Sequence, residues 1–180
     1  MKTICNKKEL RKQAIEIRNS MAFSGATNIN CSFFVSKILN SNEFKGAKHV
    51  ALYSPIKNEI DITSITKVSD KTFYFPRCNN LDLEFCEYLG ENSLKIASYG
   101  IKEPIGKSVN PEILDIIYIP ALMANKNNFR LGYGKGFYDR FFKKNNIKAK
   151  KIIVLSSELI SDNFIEEEFD IQCDYILCEK

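Results

Sequence analysis

The sequence predicts an α/β domain of three layers, with a mostly parallel central sheet and helices on both faces. Three observations point there. Helical periodicity opens the chain, short β-like runs then alternate with polar or helical stretches, and one run, Ile113–Ile119, is almost entirely apolar. An apolar run of that kind suits a strand covered on both faces, as in a parallel sheet. The 180 residues contain no internal repeat and no long Gly/Ser/Pro linker, so residues 1–180 read as a single domain large enough to bury a core.

From Lys7 to Met21, the residues Leu10, Ala14, Ile17 and Met21 recur at helical spacing and form one apolar face. At about 100° per residue, Lys7, Arg11 and Arg18 fall within a stripe roughly 40° wide on another face. A second helix is expected around Ile29–Leu39, with Phe33, Phe34 and Ile38 toward the core. Strands are expected at His49–Tyr53, Thr72–Phe75, Leu83–Tyr88, Ile113–Ile119, Lys151–Leu155 and Asp174–Cys178. Between the first two, Asp61 can cap a short helix that turns Ile62, Ile65 and Val68 inward. Near the C-terminal third, Phe137, Tyr138, Phe141 and Phe142 give the ridge of a helix packed on the sheet. Strand order does not follow from the sequence.

Composition bounds the function classes. Hydrophobic residues are 44% and charged residues 27%, ordinary for a soluble globular protein. Apolar runs such as Ile116–Met123 are too short to span a bilayer, and the opening MKTICNKKELRKQ has no apolar signal region, so cytoplasmic residence is the expectation. Six cysteines occur without a C-x-x-C pair and beside a single histidine, so free, buried thiols and no structural zinc are expected. The net charge of +4 is spread along the chain, which suits an anionic substrate such as a nucleotide as well as weak polyanion binding.

The segment Arg130–Arg140, RLGYGKGFYDR, carries the clearest chemistry. Gly132, Gly134 and Gly136 alternate, and glycines let successive backbone N–H groups turn toward one anion. A helix starting near Phe137 would add its positive N-terminus, while Arg130 and Lys135 add full charges. Asp139 can hold Mg²⁺ beside phosphates, since Mg²⁺ takes carboxylate, phosphate oxygens and water. The spacing is neither a Walker A sequence nor G-x-G-x-x-G. On its own the segment supports a phosphate loop or a glycine-rich turn with no ligand.

The wider stretch Ile119–Arg140, IPALMANKNNFRLGYGKGFYDR, resembles the signature of the 5-formyltetrahydrofolate cyclo-ligase family, a strand ending in proline, a loop, then R-L-G-x-G-x-G-Y-Y-D. Lys7-Lys8-Glu9-Leu10-Arg11 resembles the family's K-x-x-L-R. Tyr53–Asp61 (YSPIKNEID), Phe75-Pro76-Arg77, Gly100–Pro104 (GIKEP) and Asp170–Asp174 (DIQCD) resemble further landmarks, in family order across about residues 7–178. The resemblance implies the three-layer α/β fold and one reaction, the ATP- and Mg²⁺-dependent cyclisation of 5-formyltetrahydrofolate to 5,10-methenyltetrahydrofolate through a phosphorylated formyl group.

Residue roles implied by the resemblance follow one by one. Lys7 and Arg11 are ATP contacts, together with Arg130, Leu131, Gly132, Tyr133, Gly134, Lys135, Gly136, Phe137 and Tyr138. Tyr133, Gly134, Lys135, Gly136 and Phe137 also border the folate, whose pterin or formyl end meets Glu59 and Tyr53. Asp139 and Asp170 are the Mg²⁺ ligands. Lys135 and Arg130 stabilise the transferring phosphoryl charge. Phe137 stands where the family usually has tyrosine, Ala121 replaces a common glycine after the strand's proline, and Met123-Ala124 replaces a glycine- or alanine-plus-phenylalanine pair, which bears on the folate pocket more than on ATP binding. A monomer acting on a small molecule, without nucleic acid or membrane, is expected. Two alternatives stand beside it. One is a non-catalytic nucleotide- or RNA-binding module using Tyr133, Phe137 and Tyr138 among Arg130, Lys135 and Arg140. The other is a related ATP-dependent enzyme on another anionic substrate.

Overall fold

The computed structural model describes residues 6–23, 26–68, 70–97 and 100–179. Helix α1 spans Lys7–Phe23, α2 Ala26–Asn40 and α3 Asn42–Gly46, the last started by Ser41, whose Oγ accepts from the Phe44 N–H at 3.2 Å. The main sheet comprises β1 (His49–Ala51), β2 (Thr72–Asn79), β3 (Asp82–Glu87), β6 (Ile116–Pro120), β9 (Lys150–Val154) and β10 (Tyr175–Leu177). Two small ladders stand apart from it, β4 (Leu94–Ile96) with β5 (Lys102–Pro104), and β7 (Met123–Ala124) with β8 (Arg130–Leu131). Helix α4, Phe137–Lys144, follows β8.

The sheet order is β10-β9-β6-β1-β2-β3. Every pairing is parallel except the β2–β3 hairpin. Alternation along each strand divides the core in two. Ala51, Tyr74, Phe85, Ile117, Ile119 and Ile153 face α1 and α4, where Leu10, Ala14 and Phe141 close the layer. Val50, Leu52, Phe73, Phe75, Ile116, Tyr118 and Ile152 face the other way, onto Phe34, Ile38, Phe44, Ile62 and Ile65. The three-layer α/β architecture expected from the sequence is therefore present, with the apolar β6 at its middle.

Several local expectations are corrected. The apolar run becomes a strand only at Ile116, because Asn110 caps a single 3₁₀ turn over Pro111–Ile113. The helix after Asp61 is a 3₁₀ turn, Thr63–Lys67. Asp61 Oδ1 accepts from the Thr63 N–H at 2.8 Å, Ile62 and Ile65 are buried, and Val68 is half-buried. On α1 the buried residues are Leu10, Ala14 and Arg18, while Ile17 and Met21 are half-buried. The described cysteines are free, but only Cys86 and Cys173 are buried. Cys78 is exposed because β2 outruns β1 and its far end pairs only with β3. Cys5 lies outside the described residues.

The topology contains a junction of the kind at which open α/β sheets bind ligands. From β1 the chain passes to β2 on one side, and β6 joins β1 on the other, so the connections part at the β1–β6 junction. In open α/β sheets ligands sit at the carboxyl ends of strands at such a junction. The loops leaving β1 and β6 there carry Glu59 and Ala121.

Because the sheet separates the two core layers, small losses on either face should be independent. Ile38→Val and Ile117→Val should each cost about 0.5–1.5 kcal/mol. Their costs in the double variant should add to within about 0.5 kcal/mol, as read from denaturant midpoints. Strong non-additivity would mean that the layers are not separate.

Candidate active site

The glycine segment forms the connection from β8 to α4. Gly134 (φ 93°) and Gly136 (φ 65°) adopt left-handed backbone, whereas Gly132 does not need it. A Cβ on Gly134 would lie 3.2 Å from Arg11 Cζ, and one on Gly136 would lie 2.9 Å from Arg140 Nη1, so both glycines admit an arginine against the loop. Arg11 Nε donates to the Gly132 carbonyl at 2.9 Å, and Arg140 Nη1 donates to the Lys135 carbonyl at 2.7 Å. Gly136 occupies the N-cap of α4, so no side chain satisfies the first N–H groups of that helix. Free N–H groups, the helix dipole and the exposed Lys135 make this end of the loop an anion-binding surface.

Beneath the loop, Arg130 is buried. Its Nη2 donates to Asp139 Oδ1 at 3.1 Å, its guanidinium lies 5.3 Å from the Tyr138 ring centre, and its Nε has no hydrogen-bond partner. Asp139 Oδ1 also accepts from the Ile171 N–H at 3.3 Å, which brings the segment containing Asp170 against α4. Asp170 Oδ2 in turn accepts from Lys7 Nζ at 2.7 Å, and Lys7 also pairs with Glu167 at 3.0 Å. Both candidate metal carboxylates are thus neutralised by cations. Among the described residues no group of three or more His, Cys, Asp or Glu side chains could hold a metal.

At the strand ends lies a second, drier group. Lys57 and Asn58 both have positive φ, which folds Ile56–Glu59 into a tight turn closed by the Glu59 N–H on the Ile56 carbonyl at 2.9 Å. Glu59 points back into that turn, where Oε2 accepts from the Ile56 N–H at 3.0 Å. Its Oε1 has no hydrogen-bond partner and lies 3.7 Å from Arg18 Nη1. Arg18 reaches across from α1, donating Nη2 to the Ala121 carbonyl and Nη1 to Tyr133 Oη at 3.1 Å. Burial pushes the Glu59 carboxyl up to about 7, against the opposing pull of the Ile56 N–H, Arg18 and Tyr133. Burial, reinforced by Glu59, raises the Tyr133 phenol to about 12. A recess of about 20 Å³ opens here, lined by Arg18, Tyr53, Glu59, Pro120, Ala121 and Leu159, among others.

The structure therefore brings together most of the residues singled out in the sequence. Lys7 and Arg11 reach from α1 to the glycine segment and its neighbour Asp170, while Arg130, Tyr138 and Asp139 form one contact group. Phe137, half-buried, lies under the Arg140 guanidinium at 5.3 Å, and Leu131 is core. Tyr53 lines the recess with its ring, but its hydroxyl is committed to the Ile60 carbonyl. Arg18 was not singled out as a site residue. It belongs to the basic stripe of α1, and its legible signal is that the stripe borders the apolar face, which carries its last member to the loops leaving the central strands β1 and β6.

Comparison with known proteins agrees with this layout. The family model of the 5-formyltetrahydrofolate cyclo-ligase family matches residues 3–179. A 5-formyltetrahydrofolate cyclo-ligase of Mycoplasma genitalium is 31% identical over 131 residues, 73% of this chain and 72% of that protein. Another, of Mycoplasma pneumoniae, is 26% identical over 172 residues, 96% of this chain and 98% of that one. The NMR structure of Aquifex aeolicus 5,10-methenyltetrahydrofolate synthetase superposes with a TM-score of 0.85 at 31% identity, covering 97% of this chain and 90% of that one. A solved structure of a 5,10-methenyltetrahydrofolate synthetase from Mycoplasma pneumoniae superposes with a TM-score of 0.78 at 25% identity, covering 96% of this chain and 98% of that one. A signature continuous from α1 to β10, on the same fold, makes this chain a member of the 5-formyltetrahydrofolate cyclo-ligase family of enzymes.

Proposed function

We propose that the chain catalyses the ATP-dependent cyclisation of 5-formyltetrahydrofolate to 5,10-methenyltetrahydrofolate, releasing ADP and phosphate. One observation carries the reading beyond family membership. Two buried side-chain polar atoms among the described residues lack a partner, Arg130 Nε and Glu59 Oε1. Buried polar atoms are almost always hydrogen-bonded, so each calls for an explanation. One is a donor beneath a phosphate-type loop and the other is an acceptor at the opposite end of the site. A ligand with an anionic end and an N–H-bearing end would satisfy both, and the two substrates of this reaction supply one each.

The chemistry suits such a site. A formamide carbon is a poor electrophile, so its oxygen first attacks the γ-phosphorus and ADP leaves. N10 of the same folate then attacks the activated carbon, its proton is lost, and phosphate departs as the amidinium forms. Both partners of the second step belong to one molecule, so the protein's task is to position groups and stabilise charge. Lys135, Arg130 and the free N–H groups of α4 face charge developing on the phosphoryl group. Lys7 and Arg11 hold the nucleotide phosphates, and Tyr133 and Phe137 border both substrates. Glu59 receives the donor edge of the folate. The recess beside it admits only a small group, since a folate-sized ligand occupies several hundred Å³, so the body of the folate lies over the glycine loop.

The residues also fit Mg²⁺. Asp139 and Asp170 would hold it, and Mg²⁺ characteristically takes one or two carboxylates with the remainder from phosphate and water. When bound, the ion would neutralise phosphate charge. In this structure Arg130 and Lys7 hold the two carboxylates, and both are cations that nucleotide phosphates would draw toward themselves. Phosphate and metal therefore exchange partners with two existing ion pairs.

Purified protein given Mg-ATP and 5-formyltetrahydrofolate should develop the near-ultraviolet absorbance of the methenyl product. A folded, ATP-binding protein that produces none would contradict the reading, and salt-sensitive binding of oligonucleotides without turnover would favour a binding module. Lys135→Ala should lower kcat by roughly 10²–10³-fold with thermal stability unchanged. The ion-pair exchange adds a binding prediction. In calorimetry Mg²⁺ alone should bind weakly, and nucleotide affinity should rise at least about fivefold with Mg²⁺ present, a coupling that Asp139→Asn with Asp170→Asn abolishes. Equal nucleotide affinity with and without Mg²⁺ in buffer that controls for free MgATP would remove the two aspartates from the metal role.

A further inference from the structure

We propose that Arg18 is a positioning residue of the reaction, holding Glu59 as an open, charged acceptor for an N–H group of a heterocyclic substrate while fixing Tyr133 of the glycine loop above it. The proposal deepens the reading of Glu59 given above and rests on it for the identity of the substrate. Its basis is the geometry of the contact. An arginine serving only to satisfy a buried glutamate would form two parallel hydrogen bonds with it at about 2.8 Å. Arg18 does otherwise. Its Nη2 goes to the Ala121 carbonyl, its Nη1 goes to Tyr133 Oη at 3.1 Å, and Glu59 Oε1 is left 3.7 Å away. The guanidinium is close enough to favour the ionised carboxylate, but the hydrogen bonds it makes go to Ala121 and Tyr133, so Oε1, beside the Tyr133 hydroxyl, is left open to another donor.

The surroundings single out Arg18 for this role. Facing Glu59 are Arg18 from α1, Tyr133 from the glycine segment, Tyr53 from the end of β1 and Tyr138 from α4. Tyr133, Tyr53 and Tyr138 are phenols held above their ordinary values by burial, so all three are neutral and offer no counter-charge. Lys57 lies 5.5 Å from the outer Tyr133 ring centre. Arg18 is thus the cation that opposes desolvation of Glu59. It also joins the loops after β1 and β6 to the glycine segment, and Asn58 next to Glu59 is tied to Asn19 next to Arg18 by a 3.3 Å hydrogen bond. The α1 helix therefore sets substrate geometry as well as offering Lys7 and Arg11 to phosphate.

The test compares wild type with Arg18→Gln, which keeps a polar side chain but has no charge, and with Arg18→Lys, which keeps the charge. In Arg18→Gln the KM for 5-formyltetrahydrofolate should rise roughly 10- to 100-fold, the loss expected for a charge-assisted hydrogen bond, with KM for ATP within about twofold of wild type. Because an ionised Glu59 is required, activity should fall on the acid side of neutrality, and losing Arg18's favourable charge should move that acid limb to higher pH. Arg18→Lys should leave the limb near its wild-type position. A limb that does not move, with both KM values raised together, would make Arg18 a purely structural residue. Carboxyl ¹³C NMR of Glu59 in wild type and Arg18→Gln gives a readout independent of turnover. A higher midpoint in the variant supports the proposal even if the folate is not the substrate, and identical midpoints overturn it. Should Arg18→Gln fail to fold, Tyr133→Phe tests the same contact from its other end, with the folate KM expected to rise and the ATP KM to stay.

Discussion

A buried arginine is costly unless it is paired, and the placement of Arg18 makes that cost the organising constraint of the site. Its partners come from separate parts of the chain, the turn after β1, the loop after β6 and the glycine segment after β8. None of these segments holds its position through a long ladder of its own; β7 and β8 are two residues each, and the stretch from Ser54 to Ile62 is irregular. Satisfying one guanidinium draws them together at the carboxyl ends of β1 and β6, where the sheet's connections part. Removing the Arg18 side chain would leave Glu59 buried without a counter-charge, a loss typically costing about 3–5 kcal/mol.

The two halves of the site follow different electrostatic rules. At the glycine-loop end both aspartates are compensated, Asp170 by Lys7 and Asp139 by Arg130, so a cation taking these carboxylates would exchange partners with them, while Arg11, Lys135 and Arg140 carry no ion pair among the described residues. At the strand-end recess a single carboxyl, Glu59, is pushed up to about 7 by burial against the opposing pull of the Ile56 N–H, Arg18 and Tyr133. Tyr133 belongs to both halves, its backbone in the glycine segment and its hydroxyl on Arg18. The membership of the chain in the cyclo-ligase family gives this division a chemical meaning, since the proposed reaction joins a phosphoryl donor to a formylated ring system.

Much of this was legible in the sequence, for physical reasons that differ by residue. The glycine segment is local, and its backbone conformation follows from residue type, so Gly134 and Gly136 were readable as turn-formers and α4 as the helix they start. The apolar β6 announced its central place because burial on both faces leaves no polar alternation. That Lys7 and Arg11 share a face was readable from helical spacing, and their place in a site followed from the resemblance of Lys7–Arg11 to the family's K-x-x-L-R. What spacing could not show was depth. Lys7, Arg11 and Arg18 share a stripe, yet only Arg18 is buried, because the loops after β1 and β6 close over that end of α1 alone. Strand order, the two small ladders and the exposure of Cys78 depend on pairings between distant segments, which leave no local trace. Nor did sequence show that Asp139 and Asp170 are each held by a cation.

In the proposed function, Glu59 Oε1 and Arg130 Nε lack protein partners because each is kept for a substrate. A structure of the protein with 5-formyltetrahydrofolate and a non-hydrolysable ATP analogue tests it most directly. The expected result is a folate N–H within hydrogen-bond distance of Glu59 Oε1 and a phosphate oxygen or its ordered water on Arg130 Nε, with Arg18 still joining Ala121, Tyr133 and Glu59. Both ligands bound with those two atoms still unpartnered would contradict it.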